Sequence, residues 1–549
     1  MDNRLAQIKH PHLFLVLIGV AFFIPFLGYL PLFDWDEINF AESAREMIVT
    51  GNYSQVQVNF EPFWEKPPFF FWMQALFMHI FGINEFAARL PNAIFGILSL
   101  VAFFNIGKRY VSQQFGIIWA LLYFGSFLPH LYFKSGIIDP VFNFFIFLGI
   151  YFLFETVKNK AHKPFKKSIL AGLFTGLAVL TKGPVGLLIV LLTFLVYWAS
   201  TKFKNVASFK TVFLYALTVF FISFFWFGFE LIKNGPWFLV EFISYQIDLF
   251  SKPVAGHQQP FYYHFVVVFF GCFPMTVFGI KALIRRLKLK DHPAANDFKN
   301  WMAILFWVVM ILFTIVTTKI VHYSSMAYFP LSFLAAWTLH QLIESKKKPS
   351  KAINITNLIT GIIISLLLIA LPMLIENKET LVPLIKDKFT VASLSIDASL
   401  MGWEFLIGLS YLVCVMLIFY FYKKGKNLRA LLISSFSTAV VLLLFQIFVV
   451  PTIAAYSQGP AISFYETHQN EEVYITTIGF KSYAHIFYFK KPEPVNKLHN
   501  NRQWLLSGDI DKPVYFVVKV HKQGKMEPYP DIKKIGEDGG FSFYRRTLD

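Results

Sequence analysis

Long apolar stretches recur along most of the chain and constrain its fold more than any other feature. A helix needs about 20 apolar residues to cross the roughly 30 Å hydrocarbon layer of a membrane. About thirteen stretches come close to that requirement. They cover residues 13–33, 86–106, 114–133, 140–157, 168–181, 184–200, 211–231, 261–281, 301–317, 324–343, 353–375, 402–421 and 430–451. The pattern predicts a mostly α-helical membrane protein, with residues 1–451 forming one transmembrane domain.

The composition excludes an ordinary water-soluble protein. Hydrophobic residues make up 56% of the 549 residues, charged residues only 15%, and the mean hydropathy is +0.53. Soluble domains carry about 25% charged residues. Cys272 and Cys414 both lie in apolar stretches, so neither a disulfide framework nor a cysteine metal site is indicated.

The net charge of +17 reflects membrane topology rather than nucleic acid binding. Alternate short connections are rich in Lys and Arg, and they read GKRYVSQQ, KNKAHKPFKK, TKFKNVASFK, KALIRRLKLKDH, ESKKKPSKA and YKKGKNLR. If the apolar stretches alternate in direction, these connections and the N-terminus share one side, which the positive-inside rule makes cytoplasmic. Residues after 451 then lie outside, and no nucleic acid partner is expected.

Two regions on the outer side depart from the membrane pattern. Residues 34–85 form a long first loop, in which apolar spacing predicts an amphipathic interfacial helix over 37–48, with Gly51 as its stop. A second helix, rich in Phe and Trp, is predicted after Pro67–Pro68. Residues 452–549 are predicted to form a small α/β domain, because EEVYITTIGF, KPVYFVVKV and GGFSFYRR resemble strands and SYAHIFYFKK resembles a helix.

Three acids follow the first apolar stretch almost at once, in LGYLPLFDWDEINFAESAREM. Asp34 and Glu37 have the spacing of a helix cap and its capping-box partner. That interpretation leaves Asp36 without a role, and a carboxylate at a membrane edge is a candidate functional group. Asp139 is a second such acid, although its position before Pro140 also suits a helix cap. Two outward acids at span ends could converge on one reacting centre.

Several cations lie on the outer side, against the positive-inside trend: Lys66, Lys182, Lys252 and Lys319. An outward lysine can simply extend to the interface, which is the favoured interpretation for Lys252. Lys66 and Lys319 have aromatic, Pro or His neighbours in sequence and suit an anionic ligand such as phosphate. Further donors could come from His257, His322 and Tyr323.

A metal site is only weakly indicated. Glu65 and His257 could share a divalent cation, but one acid and one histidine from distant segments make a poor ligand set. No other cofactor is indicated.

The first outer loop resembles that of the bacterial lipid A aminoarabinose transferases. The resemblance rests on WDEINFAESAREMIVTGNY and FEPFWEKPPFFFWMQALFMHIFGINEFAARLPNAIFG, with their Asp-Glu pair, A-E-x-x-R-E-M, E-K-P and G-x-x-x-F-x-x-R. It continues, in the family's order, through IIDPVFNFF, LTKGPVGL, HQQPFYYHF and TKIVHYSSMAYFPL. The resemblance covers residues 10–340 well. The remainder resembles the family only in the arrangement of its apolar stretches and its C-terminal region. The family is one of the GT-C glycosyltransferases, related to the protein O-mannosyltransferases.

The resemblance implies a GT-C fold in a bacterial inner membrane and a sugar donor carried on polyprenyl (undecaprenyl) phosphate. Position by position, it implies catalytic roles for Asp36 and Asp139 and phosphate binding by Lys66, Lys319 and Tyr323. We add Glu37, which matches the family's acidic pair, to the predicted catalytic group, and His257, Arg45 and Lys182 to the predicted substrate-binding group for lipid and phosphate. Attack opposite the leaving phosphate would invert the anomeric carbon.

The sequence leaves the acceptor open between lipid A, another envelope glycolipid and a protein hydroxyl. Asn39 stands where the family often carries an Arg that would suit a lipid A phosphate. The alternative of a different class is a transporter for lipid-linked sugars. Such proteins usually contain inverted repeats and polar groups at the bilayer midplane, and neither is evident here. Nothing in the sequence demands more than a monomer.

Overall fold

The computed structural model describes residues 5–158, 164–204, 206–252, 258–285, 287–289 and 292–548. The chain is mostly α-helical. The helices of the first half are α1 (Pro11–Phe23), α2 (Asp36–Thr50), α3 (Phe69–Phe81), α4 (Glu85–Tyr110), α5 (Gln113–Phe124), α6 (Phe127–Tyr132), α7 (Asp139–Lys158), α8 (Pro164–Lys182), α9 (Val185–Ser200), α10 (Phe209–Asn234), α11 (Trp237–Ser251) and α12 (Tyr263–Gly271).

The second half continues the helical arrangement and ends in a sheet. Its helices are α13 (Met275–Ile284), α14 (Pro293–Ile315), α15 (Tyr328–Glu344), α16 (Lys351–Glu376), α17 (Lys378–Leu381), α18 (Lys388–Leu394), α19 (Phe405–Lys423), α20 (Asn427–Phe448), α21 (Val450–Ser457), α22 (Gly459–Thr467), α23 (Ala484–Phe487) and α24 (Arg502–Ser507). Short 3-10 helices cover Val321–Ala327, Val382–Leu384 and Val520–Lys525. The strands are β1 (Gln57–Val58), β2 (Glu61–Pro62), β3 (Tyr474–Ile478), β4 (Val514–Lys519), β5 (Lys533–Asp538) and β6 (Phe541–Arg546).

Each predicted apolar stretch contains a helix, although in the first, 13–33, helix α1 ends at Phe23. Within the described residues, seven helices are long and apolar enough to cross a membrane by length and composition, namely α4, α7, α10, α14, α16, α19 and α20. Shorter apolar helices of 10–17 residues are α1, α3, α5, α9 and α13. Two predicted stretches, 114–133 and 261–281, are each divided into two helices, because the chain turns at Gly125–Ser126 and before Pro274. The predicted mostly helical membrane fold is confirmed.

Helix α2 begins and ends close to the positions predicted for the interfacial helix. Gly51 ends it with a left-handed φ of 67°, which glycine adopts without a steric penalty. The sequence did not indicate its burial within the protein, which includes every residue from Glu37 to Met47. Helix α2 packs against α3, β1 and α23, so it is enclosed between the membrane helices and the C-terminal part of the chain.

The sequence interpretation of Asp34 as the cap of α2 is wrong. The residue before the helix is Trp35, and no side chain caps the first turn. Asp34 instead accepts a 3.4 Å hydrogen bond from the backbone N–H of Tyr483 in the C-terminal sheet domain. Burial raises the pKa of this carboxyl above its ordinary value.

The C-terminal strands form one four-stranded sheet in the order β3-β4-β6-β5. β3 and β4 pair in parallel, with Tyr474 opposite Val514, and the other two pairings are antiparallel. The three strands predicted from apolar runs correspond to β3, β4 and β6. The sequence did not indicate β5, because its residues are mostly exposed and lack apolar alternation.

A candidate active site at the start of α2 and α7

A cavity of about 670 Å³ lies where α2, α7, α8, α9 and α11 approach the 3-10 helix Val321–Ala327. One part of its wall is apolar, with Val185, Leu188, Ile189, Leu249 and Phe313. The polar part of the wall includes Asp34, Asp36, Glu37, Asn39, Glu65, Lys66, Ser135, Asp139, Asn143, Lys182, Tyr245, Gln246, Thr318, His322 and Tyr323. The cavity therefore joins an apolar surface to a dense group of charges.

Asp36 and Asp139 converge on this cavity from two helices that are far apart in sequence. Asp36 is the first residue of α2 and Asp139 the first of α7. Both approach the same imidazole, since His322 Nε2 lies 3.4 Å from Asp36 Oδ2 and 3.9 Å from Asp139 Oδ2. Burial lowers the pKa of His322, so the ring is mostly neutral near pH 7.

The two carboxylates differ in their surroundings. The Asp139 side chain is 4% exposed and accepts a 2.6 Å hydrogen bond from Lys182 Nζ at the end of α8. Its other oxygen, Oδ2, is buried without a hydrogen-bond partner among the described residues. The Asp36 side chain is 33% exposed to the cavity. Asp139 is therefore fixed in place, whereas Asp36 is open to a ligand.

Lys66 supplies a cation from the loop between β2 and α3. Its Nζ lies 3.9 Å from Glu65 Oε2 and 5.2 Å from the centre of the Tyr245 ring. Burial lowers the pKa of Lys66, and the charge of Glu65 opposes that shift. The side chain is 14% exposed. A buried ammonium that, among the described residues, has one carboxylate within 4 Å and two more, Asp36 and Asp139, at longer range suits an incoming anion.

Glu37 lies beside Asp36 but has a different environment. Both of its oxygens accept 2.8 Å hydrogen bonds from Arg89 of α4. The backbone N–H groups of Phe33 and Gly136 also donate to this carboxylate. Arg89 in turn donates to the carbonyls of Leu27, Leu30 and Pro31. This buried ion pair joins the segment after α1 to the loop before α7. It therefore fixes the positions of Asp36 and Asp139 relative to each other.

The remaining predicted residues divide between the cavity and other places. Lys182 and Tyr323 line the cavity, and Lys182 Nζ lies 5.3 Å from the centre of the Tyr323 ring. Lys319 is buried nearby, where its Nζ donates to the carbonyl of Val316 at 2.8 Å, but it is not among the lining residues. Arg45 points away from the cavity, toward Glu42 and the C-terminal domain. His257 lies outside the described residues.

Sequence reasoning missed part of the cavity wall. Tyr245 and Asn143 line it, and Asn143 donates a 2.8 Å hydrogen bond to Ser325. Asn143 follows Asp139 by one helical turn, so helical spacing would have placed it on the same face. Tyr245 lies in an aromatic-rich segment, where nothing distinguishes it from its neighbours.

The arrangement of the described side chains does not indicate a metal site. They contain no group of three or more His, Cys, Asp or Glu side chains arranged to hold an ion. Glu65, one of the two candidate ligands, contacts Lys66 instead.

A second cavity of about 660 Å³ lies between the β1–β2 hairpin and the C-terminal domain. Its wall contains four cationic side chains, Lys481, Lys491, Arg502 and Lys525. Phe63 and Glu65 line both cavities, so the two share a wall beside Lys66.

The fold is of the GT-C type that the sequence resemblance implies. It matches the crystal structure of ArnT from Cupriavidus metallidurans with a TM-score of 0.76 over 97% of each chain, at 15% sequence identity. That structure contains undecaprenyl phosphate, and the apo structure of the same protein matches equally well.

Sequence comparisons give the same family resemblance. The chain is 26% identical over 371 residues to the undecaprenyl phosphate-α-4-amino-4-deoxy-L-arabinose arabinosyl transferase of Wigglesworthia glossinidia brevipalpis. The match covers 66% of this chain and 64% of that protein, which is less than two thirds of the relative's length. An uncharacterized protein of Aquifex aeolicus is 29% identical over 60% of this chain and 73% of its own length. Residues 65–226 match the family described as dolichyl-phosphate-mannose-protein mannosyltransferase. The resemblance inferred from the sequence motifs is confirmed.

Proposed function

We propose that this protein is an integral-membrane glycosyltransferase that moves a sugar from a polyprenyl phosphate to an acceptor of the cell envelope. The observation that carries the proposal is the convergence of Asp36 and Asp139 on one cavity that also holds Lys66 and an apolar wall. A lipid-linked sugar phosphate has the same three parts: a reacting sugar, an anionic phosphate and an apolar chain. The names of the relatives support the same donor class.

Lys66 is the residue that we assign to the donor phosphate. When the bond between the anomeric carbon and the phosphate oxygen breaks, the leaving phosphate gains one negative charge. A buried ammonium stabilises that charge more strongly than water-exposed groups do, because the local dielectric is low. Lys182 is already bonded to Asp139 at 2.6 Å and therefore serves mainly to orient that carboxylate. Tyr323 and Lys319 would support the phosphate from the neighbouring segment.

Asp36 is the residue that we assign to the acceptor. An acceptor hydroxyl must lose its proton as its oxygen bonds to the anomeric carbon, and Asp36 is the more open carboxylate of the pair. An acceptor phosphate is already ionised, and the two carboxylates would then stabilise the positive charge that develops on the sugar. Attack from the face opposite the leaving phosphate inverts the anomeric carbon. Glu37 has all its hydrogen bonds within the protein, so we assign it a positioning role.

The acceptor and the topology are further parts of the proposal. Lipid A or another envelope glycolipid would approach through the second cavity, whose cations suit an anionic headgroup. The mannosyltransferase family match favours a protein hydroxyl as the second candidate acceptor. We place the N-terminus in the cytoplasm, the cavity and residues 452–549 on the periplasmic side of the inner membrane, and the active unit as a monomer.

The test is donor consumption by the purified protein in detergent. Radiolabelled polyprenyl-phosphate sugars are supplied with lipid A or with a Ser/Thr peptide, and products are separated by thin-layer chromatography. The proposal expects release of polyprenyl phosphate and transfer of label to one acceptor. A transporter would leave every donor intact. Asp387→Asn is the control for loss of a carboxylate outside the site, and it should consume donor as wild type does. Asp387 is exposed at the start of α18 and lines neither cavity.

A further inference from the structure

Asn39 is a buried polar residue that the fold does not use. It lies one helical turn after Asp36 in α2, is 3% exposed and lines the 670 Å³ cavity. Its Oδ1 has no hydrogen-bond partner among the described residues. Leaving a buried acceptor unsatisfied costs about 1–3 kcal/mol, so an apolar side chain at this place would fold at lower cost.

Two other buried asparagines near the cavity show what a structural role involves. Asn92 donates 2.6 Å hydrogen bonds to the carbonyls of Ser135 and Ile137, although its own Oδ1, like that of Asn39, has no partner among the described residues. Asn143 donates to Ser325. Each amide joins two separate segments of the fold, whereas the Asn39 side chain makes no such connection within the described part of the chain.

The position of Asn39 relative to the charges of the cavity identifies the part of a ligand that it would meet. Residues three apart on a helix have Cβ atoms about 5–6 Å apart, so Asn39 is next to Asp36 and on the same side of α2. Lys66 lies on a different segment and faces the place of an anion, and the apolar wall comes from α9, α11 and α14. Because we assign Asp36 to the transfer step, the group that lies beside it during the reaction is the transferred sugar.

We propose that Asn39 is a specificity-determining residue whose side-chain amide hydrogen-bonds an uncharged hydroxyl of the transferred sugar. An amide both donates and accepts, as a hydroxyl does, and it carries no charge that would favour an anionic group. Asp139 Oδ2, the other buried acceptor without a partner on this cavity, would bind a second donor group of the same sugar. The inference deepens the proposed function and depends on it.

The energetic consequence is selection against sugars that lack the hydroxyl. A site built to hydrogen-bond a substrate hydroxyl rejects the deoxy analogue, because its own buried polar group is then left unpaired. A single neutral hydrogen bond with this penalty corresponds to about 10- to 100-fold in kcat/KM. The Asn39→Ala variant has no group to leave unpaired, so it should lose that preference.

The experiment is a double-mutant cycle between the protein and the donor. Wild type and Asn39→Ala are each given a polyprenyl-phosphate hexose and its set of monodeoxy analogues, and kcat/KM is measured for each. Wild type should prefer the parent sugar over one particular analogue by about 10- to 100-fold, and Asn39→Ala should treat the two nearly equally. Asn354→Ala is the matched control, since Asn354 is also buried with an unpartnered Oδ1 but lies on α16 and lines neither cavity.

Donor binding, followed by thermal shift, separates failure of this inference from failure of the proposed function. If the donors bind but no transfer occurs, the proposed function is wrong. The double-mutant cycle can then be repeated with the Kd of each donor in place of kcat/KM, and it still decides the role of Asn39. If wild type and Asn39→Ala discriminate equally against every analogue, the role of Asn39 is overturned. If wild type binds none of the donors, both are overturned.

Discussion

Both ends of α2 carry charged residues. The two ends differ in whether those charges have partners within the protein. At its start, Asp36 faces the cavity with the imidazole Nε2 of His322 3.4 Å away, and Asn39 has an oxygen without a partner among the described residues. Further along, Glu42 and Arg45 form a two-fold ion pair with both distances 2.7 Å. The start of α2 is open to a ligand, whereas its later turns are closed by the protein itself.

The closed cluster joins the first loop to the C-terminal domain. Arg45 donates to the carbonyl of Lys491 at 2.9 Å, and Lys491 Nζ donates to Asn59 Oδ1 at 2.6 Å. Asn59 and Phe60 form the tip of the β1–β2 hairpin, both with positive φ, and the Phe60 N–H donates to Glu46 at 2.8 Å. The strand that leaves this hairpin leads directly to Glu65 and Lys66. Ion pairs made entirely within the protein, such as Glu42–Arg45, support a fold, although Glu46 Oε1 in the same cluster has no partner among the described residues.

The largest effect is expected from Asp36→Asn. Losing a group that accepts a proton in the transition state lowers kcat by about 10²- to 10⁴-fold, while thermal stability in detergent stays close to wild type. Steady-state transfer assays and an unfolding curve measure the two quantities on the same preparation. Normal turnover would remove Asp36 from the chemistry, and a large loss of stability would mean that this end of the helix is closed after all.

Arg45→Met should have the opposite effect to Asp36→Asn, with a large loss of stability rather than a specific loss of kcat. It leaves the buried carboxylate of Glu42 without its ion-pair partner, and breaking a buried pair in this way costs about 3–5 kcal/mol. The midpoint of unfolding should fall strongly. Lys252→Met is the control, because its ion pair with Asp248 is exposed and should contribute at most about 1 kcal/mol. Equal stabilities of the two variants would contradict the assignment of a structural role to the Glu42–Arg45 pair.

A smaller effect is expected from Lys66→Met. A hydrogen bond to a charged group is worth about 1.5–3 kcal/mol, so donor affinity should fall by about 10- to 100-fold. Lys66→Arg keeps the positive charge and should retain part of the donor affinity that Lys66→Met loses. Isothermal titration with polyprenyl phosphate measures the change directly. If both variants bind as wild type does, the phosphate is held elsewhere.

The last prediction concerns the pH dependence of stability and Lys491. Burial lowers the pKa of Lys491 from 10.5 to about 8. Between those values the unfolded chain binds more protons than the folded one, so this group makes stability rise with pH. Lys491→Met should lack that contribution, and its stability relative to wild type should therefore decline from pH 8 to pH 10. Parallel pH profiles of chemical unfolding for the two proteins would show that Lys491 is not the titrating group.

Much of this molecule could be predicted from local sequence patterns. Apolar length located the membrane helices, and Gly51 located the end of α2. Motif order placed Asp36, Asp139, Lys66 and Lys182 in one site, and the structure places all four on the same cavity.

The features that escaped prediction depend on long-range packing. The burial of α2 follows from α23, which lies more than 400 residues further along the chain. The pairing of Glu37 with Arg89 takes that acid out of the open part of the site, although sequence alone makes it look equivalent to Asp36. Arg45 fits a substrate-binding motif, but its contacts are with Glu42 and the backbone of the C-terminal domain. Local spacing contains no information about which charges find a protein partner.

The most direct test of the central claim is an electron cryomicroscopy map of the full-length protein with bound polyprenyl phosphate. The account predicts phosphate density against Lys66 in the cavity shared by Asp36 and Asp139, with the prenyl chain along Val185, Leu188 and Leu249. Phosphate density in the second cavity, with none beside Lys66, would contradict it.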